Sequence, residues 1–259
     1  MPMTHRSYCL LSLLLPLAAL LSACDPPSSV AQTRPATQVQ PAPRLNLRLK
    51  RELDSMDVED QKYRLLLMQT MGVERNTQLD SLKRTAHLTD AQVGPYLSEQ
   101  MLRIDSANIK RVVQIIRQYG YPGKTLVGEP TNEVALLVIQ HSGRIPQLLP
   151  LIEREATKGE VAFSLYARML DRKLMYEGKP QRYGTQGRSY GVRNAQGQPE
   201  TVSFIWPIED AAHVNERRKK AGFDSTVEAN AERLHIPYRV VTLEEARRIE
   251  QQSAAASHH

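Results

Sequence analysis

The sequence predicts a mainly α-helical domain carrying one small β-hairpin, set behind a signal peptide and a flexible tether. Three observations carry that expectation. From about residue 46 onward, apolar residues recur at steps of three and four, the period of a helix face. The stretch 181–206 breaks this period: QRYGTQGRSYGV and ETVSFIWPI read as short extended segments around the loop RNAQGQ, the pattern of a hairpin. Ahead of the helices, DPPSSVAQTRPATQVQPAPR is rich in Pro, Ser, Thr, Gln and Ala. Such a segment has too little apolar surface to fold and serves as a tether.

The N-terminus sets the expected compartment. After MPMTHR comes CLLSLLLPLAALLSAC, whose apolar run 10–21 is short for a bilayer span and suits the core of a signal peptide. It closes on Leu21-Ser22-Ala23-Cys24, which resembles a bacterial lipoprotein box. The expected organisation is a signal peptide over 1–23, a lipidated Cys24 with its linker over 24–45, a helical domain over 46–252 and a frayed tail over 253–259. Each buried CH2 of a lipid contributes about 0.8 kcal/mol, so two or three acyl chains at Cys24 would hold the protein on a membrane. The expected location is the periplasmic face of the cell envelope. Asp25 resembles an inner-membrane retention signal, with the outer membrane as the alternative. Cys9 leaves with the signal peptide, so the domain is expected to rely on its apolar core without disulfides.

The net charge of +6 comes without an aromatic-interleaved basic patch, aromatic residues being 5% of the chain. Nucleic acid is therefore not an expected partner. A solvated basic face near anionic lipid or an envelope protein or polymer fits better.

Along the domain, a first helix is expected over 49–71, with Leu53, Met56, Tyr63 and Leu67 on its apolar stripe. Asp60 falls inside that stripe, with Gln61 beside it and Arg64 one turn on, either as an ion pair at the stripe's edge or as a charge aimed inward. Thr89 with Gln92 resembles a capping box and opens a helix over 90–103. Asp105 or Ser106 is expected to cap a separate helix that stops at Gly120. The segment YGYPG bends the chain, and Thr131 begins a helix, NEVALLVIQHSG, apolar nearly all round and hence buried. His141 closes its stripe, the position of a C-terminal core histidine or of a catalyst. Helices from Pro146 to Lys158 and from Glu160 to Tyr176 follow, the second bearing Asp171 and Arg172.

Beyond the hairpin, Pro207 is placed at the first position of a helix that Gly222 closes. Ser225 with Glu228 and Thr242 with Glu245 read as further capping boxes, and IPYRVV as a short strand or link.

The sequence lacks His-Glu-x-x-His, paired zinc cysteines, a Gly-x-Ser-x-Gly elbow and a phosphate-cradling glycine loop, so no metal and no cofactor are expected. Polar groups at the helix edges remain. Five blocks, DQKYR, GYPG, IQHS, MLDRKLMYEGKPQRYGTQ and PIEDAAHVNERRKKAGF, occur in the order found in a bacterial family of domains of unknown function, which the chain resembles over 54–234. Members usually have Gly-Trp-Pro where this chain has Gly120-Tyr121-Pro122. The resemblance implies a mainly helical, often exported domain and no particular activity. It also groups Asp60, Arg64, His141, Asp171, Gln181, Tyr183 and Gln186 as one constellation.

Three functional expectations follow. In the first, the tethered domain presents a polar cleft to an envelope ligand or partner, as in immunity or inhibitor proteins. Asp60, Gln61, Arg64, Arg172, Gln181, Tyr183, Thr185 and Gln186 are its contact residues. In the second, an acid–base hydrolase or transferase uses His141 as general base, with Asp171 or Asp60 as its orienting carboxylate. In the third, the polar set ties the hairpin to the helices as a non-catalytic scaffold.

Overall fold

A computed structural model describes residues 44–70 and 77–256. The expected signal peptide, Cys24, Asp25 and most of the tether lie outside the described residues. So do 257–259, the end of the expected tail. Among the described residues, no helix is long and apolar enough to cross a membrane.

Helix α1 (Leu47–Thr70) buries Leu49, Leu53, Met56, Asp60 and Leu66. The first four lie at steps of four, three and four, so Asp60 belongs to the core-facing stripe itself. Helix α2 (Thr77–Ala86), for which the sequence analysis has no counterpart, buries no residue fully; Leu79 and Leu82 pack on Leu66, Val93 and Leu97.

Helix α3 (Asp90–Tyr119) runs unbroken through the expected boundary near Asp105. The capping residues there find a different use, because Asp105 pairs across to Arg64. A polar side chain with a tertiary partner no longer competes for the helix backbone. The Thr89 amide donates to Gln92 Oε1 at 2.9 Å, as the capping box requires.

The bend after Gly120 leads through the short α4 (Lys124–Val127) and a 3-10 turn, Thr131–Glu133, into α5 (Val134–Gln140). Tyr121 is buried and donates its hydroxyl to the Asn132 carbonyl at 3.0 Å. Helix α5 buries Val134, Ala135, Leu136, Val138 and Ile139 and sits centrally, among α1, α3 and α6. Helices α6 (Ile145–Thr157) and α7 (Phe163–Tyr176) close this main core, in which Leu53, Ile115, Leu136, Ile139, Ile152 and Met169 are fully covered.

The hairpin pairs β1 (Gly187–Arg193) with β2 (Pro199–Ile205), antiparallel, Arg188 opposite Phe204 and Tyr190 opposite Val202. Helix α10 (Leu243–Ala256) packs on it around Val192, Phe204, Trp206 and Ile249. The strands start six residues later than the expected 181, because 181–186 forms an irregular clasp instead.

Pro207 does not open a helix. A 3-10 turn, Ala211–His213, leads into α8 (Val214–Lys220), and Gln181 bridges to Ile208 where helix was expected. Thr226, not Ser225, caps α9 (Val227–Arg233), accepting from the Ala229 amide at 3.2 Å. IPYRVV is extended without strand pairing, and Glu245 donates its amide to the Thr242 hydroxyl at 3.1 Å.

Candidate functional site

The polar residues singled out from the sequence fall into two groups. The first is the clasp of residues 181–186. Asp171, on α7, is fully buried. Its Oδ1 accepts the Arg182 amide at 2.8 Å and the Tyr183 amide at 3.1 Å; its Oδ2 accepts the Thr185 amide at 3.0 Å and the Thr185 hydroxyl at 2.9 Å. Burial pushes the Asp171 carboxyl above the ordinary carboxylate value, and the loop donors offset this only in part.

Gln181 is also fully buried. Its amide nitrogen donates to the Gln186 and Trp206 carbonyls at 2.9 and 2.7 Å, and its Oε1 accepts the Gln186 amide at 2.9 Å. The remaining loop carbonyls are claimed from outside. Arg217 takes that of Arg182, the Arg218 Nη1 that of Tyr183 at 2.8 Å, and Asn230 that of Gly184 at 3.0 Å. Gly184 has φ +66°, and a Cβ there would lie 2.6 Å from Val227 Cγ2. The clasp therefore needs glycine twice over, for conformation and for space. Tyr183 packs with Ala167, Ala221 and Phe223. Asp171, Gln181, Tyr183 and Thr185 thus point into the protein. Arg172 and Gln186 stay half-buried at its edge, Arg172 Nε 3.4 Å from Gln186 Oε1.

The second group joins α1, α3 and the end of α5. Asp60 is 3% exposed. Its Oδ2 accepts Gln61 Nε2 at 2.8 Å and Arg64 Nε at 3.4 Å, and lies 2.9 Å from His141 Nδ1. The His141 contact is close but off the hydrogen-bond axis, and Asp60 Oδ1 is buried without a partner. Arg64 also pairs with Asp105. Burial opposes ionisation of Asp60, yet His141 and Arg64 outweigh it and hold its carboxyl below the ordinary value. The His141 side chain is 16% exposed, and its Nε2 makes no hydrogen bond among the described residues.

The carboxylate beside His141 is therefore Asp60. Asp171, the other expected orienter, is spent on the loop. Sequence reasoning missed Asp105 as a member of this cluster, and Arg218 and Asn230 as members of the clasp. Arg218 lies inside a run, Arg-Arg-Lys-Lys, that reads as a solvated face, yet it is 1% exposed.

Asp60, Asp105 and His141 each bring a ligand atom within 4.8 Å of the others, the spacing of a three-donor cation site. Arg64 pairs with both carboxylates and supplies the positive charge that a cation would bring. The donor set as it stands is an arginine-neutralised network and fits a resident metal poorly.

A family model described as "Family of unknown function (DUF6624)" matches residues 84–234, more than half of the chain. The match is shorter than the resemblance over 54–234: it starts at residue 84, so the block DQKYR, with Asp60 and Arg64, lies outside it. No curated protein and no solved structure matches the chain. The match takes in α3 through α9, including His141, Asp171 and the whole clasp, and the chain belongs to the DUF6624 family.

Proposed function

We propose that the domain is an acid–base catalyst of the hydrolase or transferase type, tethered through lipidated Cys24 on the periplasmic face of the envelope. His141 is its general base and Asp60 its orienting carboxylate. The observation behind this reading is the asymmetry of His141: Nδ1 lies 2.9 Å from buried Asp60, and Nε2 has no hydrogen-bond partner among the described residues. A carboxylate on one ring nitrogen fixes the tautomer and leaves the other nitrogen to take a proton. Catalytic hydrogen bonds are commonly misaligned before substrate binds and tighten in the complex. Gln61 and Arg64 hold the same Asp60 oxygen, Oδ2, that faces His141.

The binding-protein reading loses Gln181, Tyr183 and Thr185, which are consumed within the fold. Arg172 and Gln186 remain for it.

The test is turnover by the full chain of chromogenic phosphoesters, esters, amides and glycosides. His141→Gln and Asp60→Asn, checked for folding by circular dichroism, should lower the rate on the substrate class turned over. A general base is worth roughly 10²- to 10⁴-fold. Full turnover by folded His141→Gln would refute the assignment.

A further inference from the structure

Arginines gather around the outer edge of the clasp without acidic partners. Arg168 and Arg172 stand one turn apart on α7, and Gln186 joins them: its Oε1 lies 3.4 Å from Arg172 Nε, and its Nε2 3.4 Å from the Arg168 carbonyl. Arg188, two residues beyond Gln186, lies over the ring of Tyr176 at 5.6 Å, one turn further along α7. Arg233, at the end of α9, is near enough to Arg168 for each charge to oppose the other.

None of these four forms an ion pair among the described residues. Asp224 acts on Arg168 only from beyond ion-pair distance. Their donors are also largely unspent. No side-chain hydrogen bond is formed by Arg168 or Arg188 among the described residues, and Arg188 Nε is buried without a partner. Arg172 makes the one bond to Gln186, and Arg233 one to Asn230 Oδ1 at 2.9 Å.

Four like charges held by one strand and two helices repel one another. Unpaired guanidinium groups that are half-buried also lose hydration. An evolved surface relieves both costs with an acid on the neighbouring element, as Asp210 does for Arg217 at 3.2 Å. Here no acid pairs with them and most of their donors are unspent, which suits a site that receives its anion from outside.

We propose that Arg168, Arg172, Arg188 and Arg233, with Gln186, form a binding site for a phosphoryl group, carried by a soluble ester or by a lipid headgroup. A dianion matches several guanidinium groups better than a single carboxylate does, and the arginine fork fits phosphate oxygens two at a time. The site stands without a catalytic role for His141.

The experiment is titration calorimetry of the full chain in detergent micelles with inorganic pyrophosphate. Saturable binding is expected, weakening as salt rises. Arg172→Gln and Arg188→Gln should each weaken it by on the order of tenfold, equivalent to ~1.4 kcal/mol. Exposed Arg233→Gln, which tests the site with least risk to folding, should weaken it in the same direction. His141→Gln should bind as wild type does, which separates this site from the catalytic assignment. Competition by phosphatidylglycerol vesicles would assign the phosphoryl group to lipid, and competition by glycerol phosphate alone to a soluble ester. The proposal is overturned if pyrophosphate gives no saturable binding, or if folded Arg172→Gln, Arg188→Gln and Arg233→Gln all bind as tightly as wild type.

Discussion

Thr185 is tied twice to Asp171, its amide 3.0 Å and its hydroxyl 2.9 Å from the same carboxylate oxygen. Through this pair and the Arg182 and Tyr183 amides, α7 dictates the path of the chain into the hairpin. Asp171→Ala should strand the buried Tyr183 and Thr185 amides and the part-buried Arg182 amide, a buried one costing about 1–3 kcal/mol. A loss of about 3 kcal/mol or more is expected in urea unfolding. Thr185→Val keeps the amide bond but removes both bonds of the hydroxyl, the one it donates to Asp171 and the one it accepts from Gln186 Nε2 at 2.9 Å, and should cost about 1–3 kcal/mol.

Gly184→Ala meets two penalties. The left-handed backbone costs a Cβ-bearing residue about 1–2 kcal/mol, and the crowding of Val227 Cγ2 at 2.6 Å adds to it. The sum, about 2–4 kcal/mol, should appear as a lower midpoint in the same unfolding measurement.

Arg218 ties the clasp to α8 by donating to the Tyr183 carbonyl, the Ser225 carbonyl and the Ser225 hydroxyl while lying 4.4 Å over the Phe223 ring. Lysine has neither the fork nor the flat face to repeat this. Arg218→Lys should therefore destabilise by about 2–4 kcal/mol despite keeping the charge. Thermal unfolding that leaves the variant equal to wild type would contradict the role given to the guanidinium.

The Asp60 carboxyl is held below its unfolded value of 3.8, so its ionised form favours the folded state. That contribution is complete above pH 3.8 and is lost as pH falls through the lower folded value. Asp171, raised by burial, acts oppositely: its contribution is greatest below 3.8 and declines as pH rises through its folded value. Subtracting the Asp60→Asn stability curve from that of wild type isolates the first effect. The difference should be flat above about pH 5 and fall in acid.

Much of the helical frame was legible because apolar periodicity reports burial directly. The stripe of α1 and the all-round apolar face of α5 are examples. Asp60 was legible for the same reason: a charge at a core position of a period breaks the pattern visibly. The boundaries that failed did so where side chains have tertiary partners. Asp105 looks like a helix cap from its neighbours in sequence, and only Arg64, 41 residues away, shows otherwise. Arg218 is hidden likewise, since one buried arginine among four basic residues has no periodic signature. The loop 181–186 looked like a ligand-facing segment because it is dense in amides and hydroxyls. That density serves its own buried backbone, where each N–H and C=O needs a partner. What sequence could not supply is direction. The same Gln181 side chain would serve a cleft or a clasp, and only the position of the Trp206 carbonyl decides between them.

The central claim is that His141 works against Asp60 with its Nε2 presented outward. Nitrogen-15 NMR of histidine-labelled protein reads it most directly, without knowledge of the substrate. Neutral His141 is expected as the Nδ1–H tautomer with an unprotonated Nε2, and Asp60→Asn should weaken that preference. A neutral His141 that carries its proton on Nε2 would contradict the account.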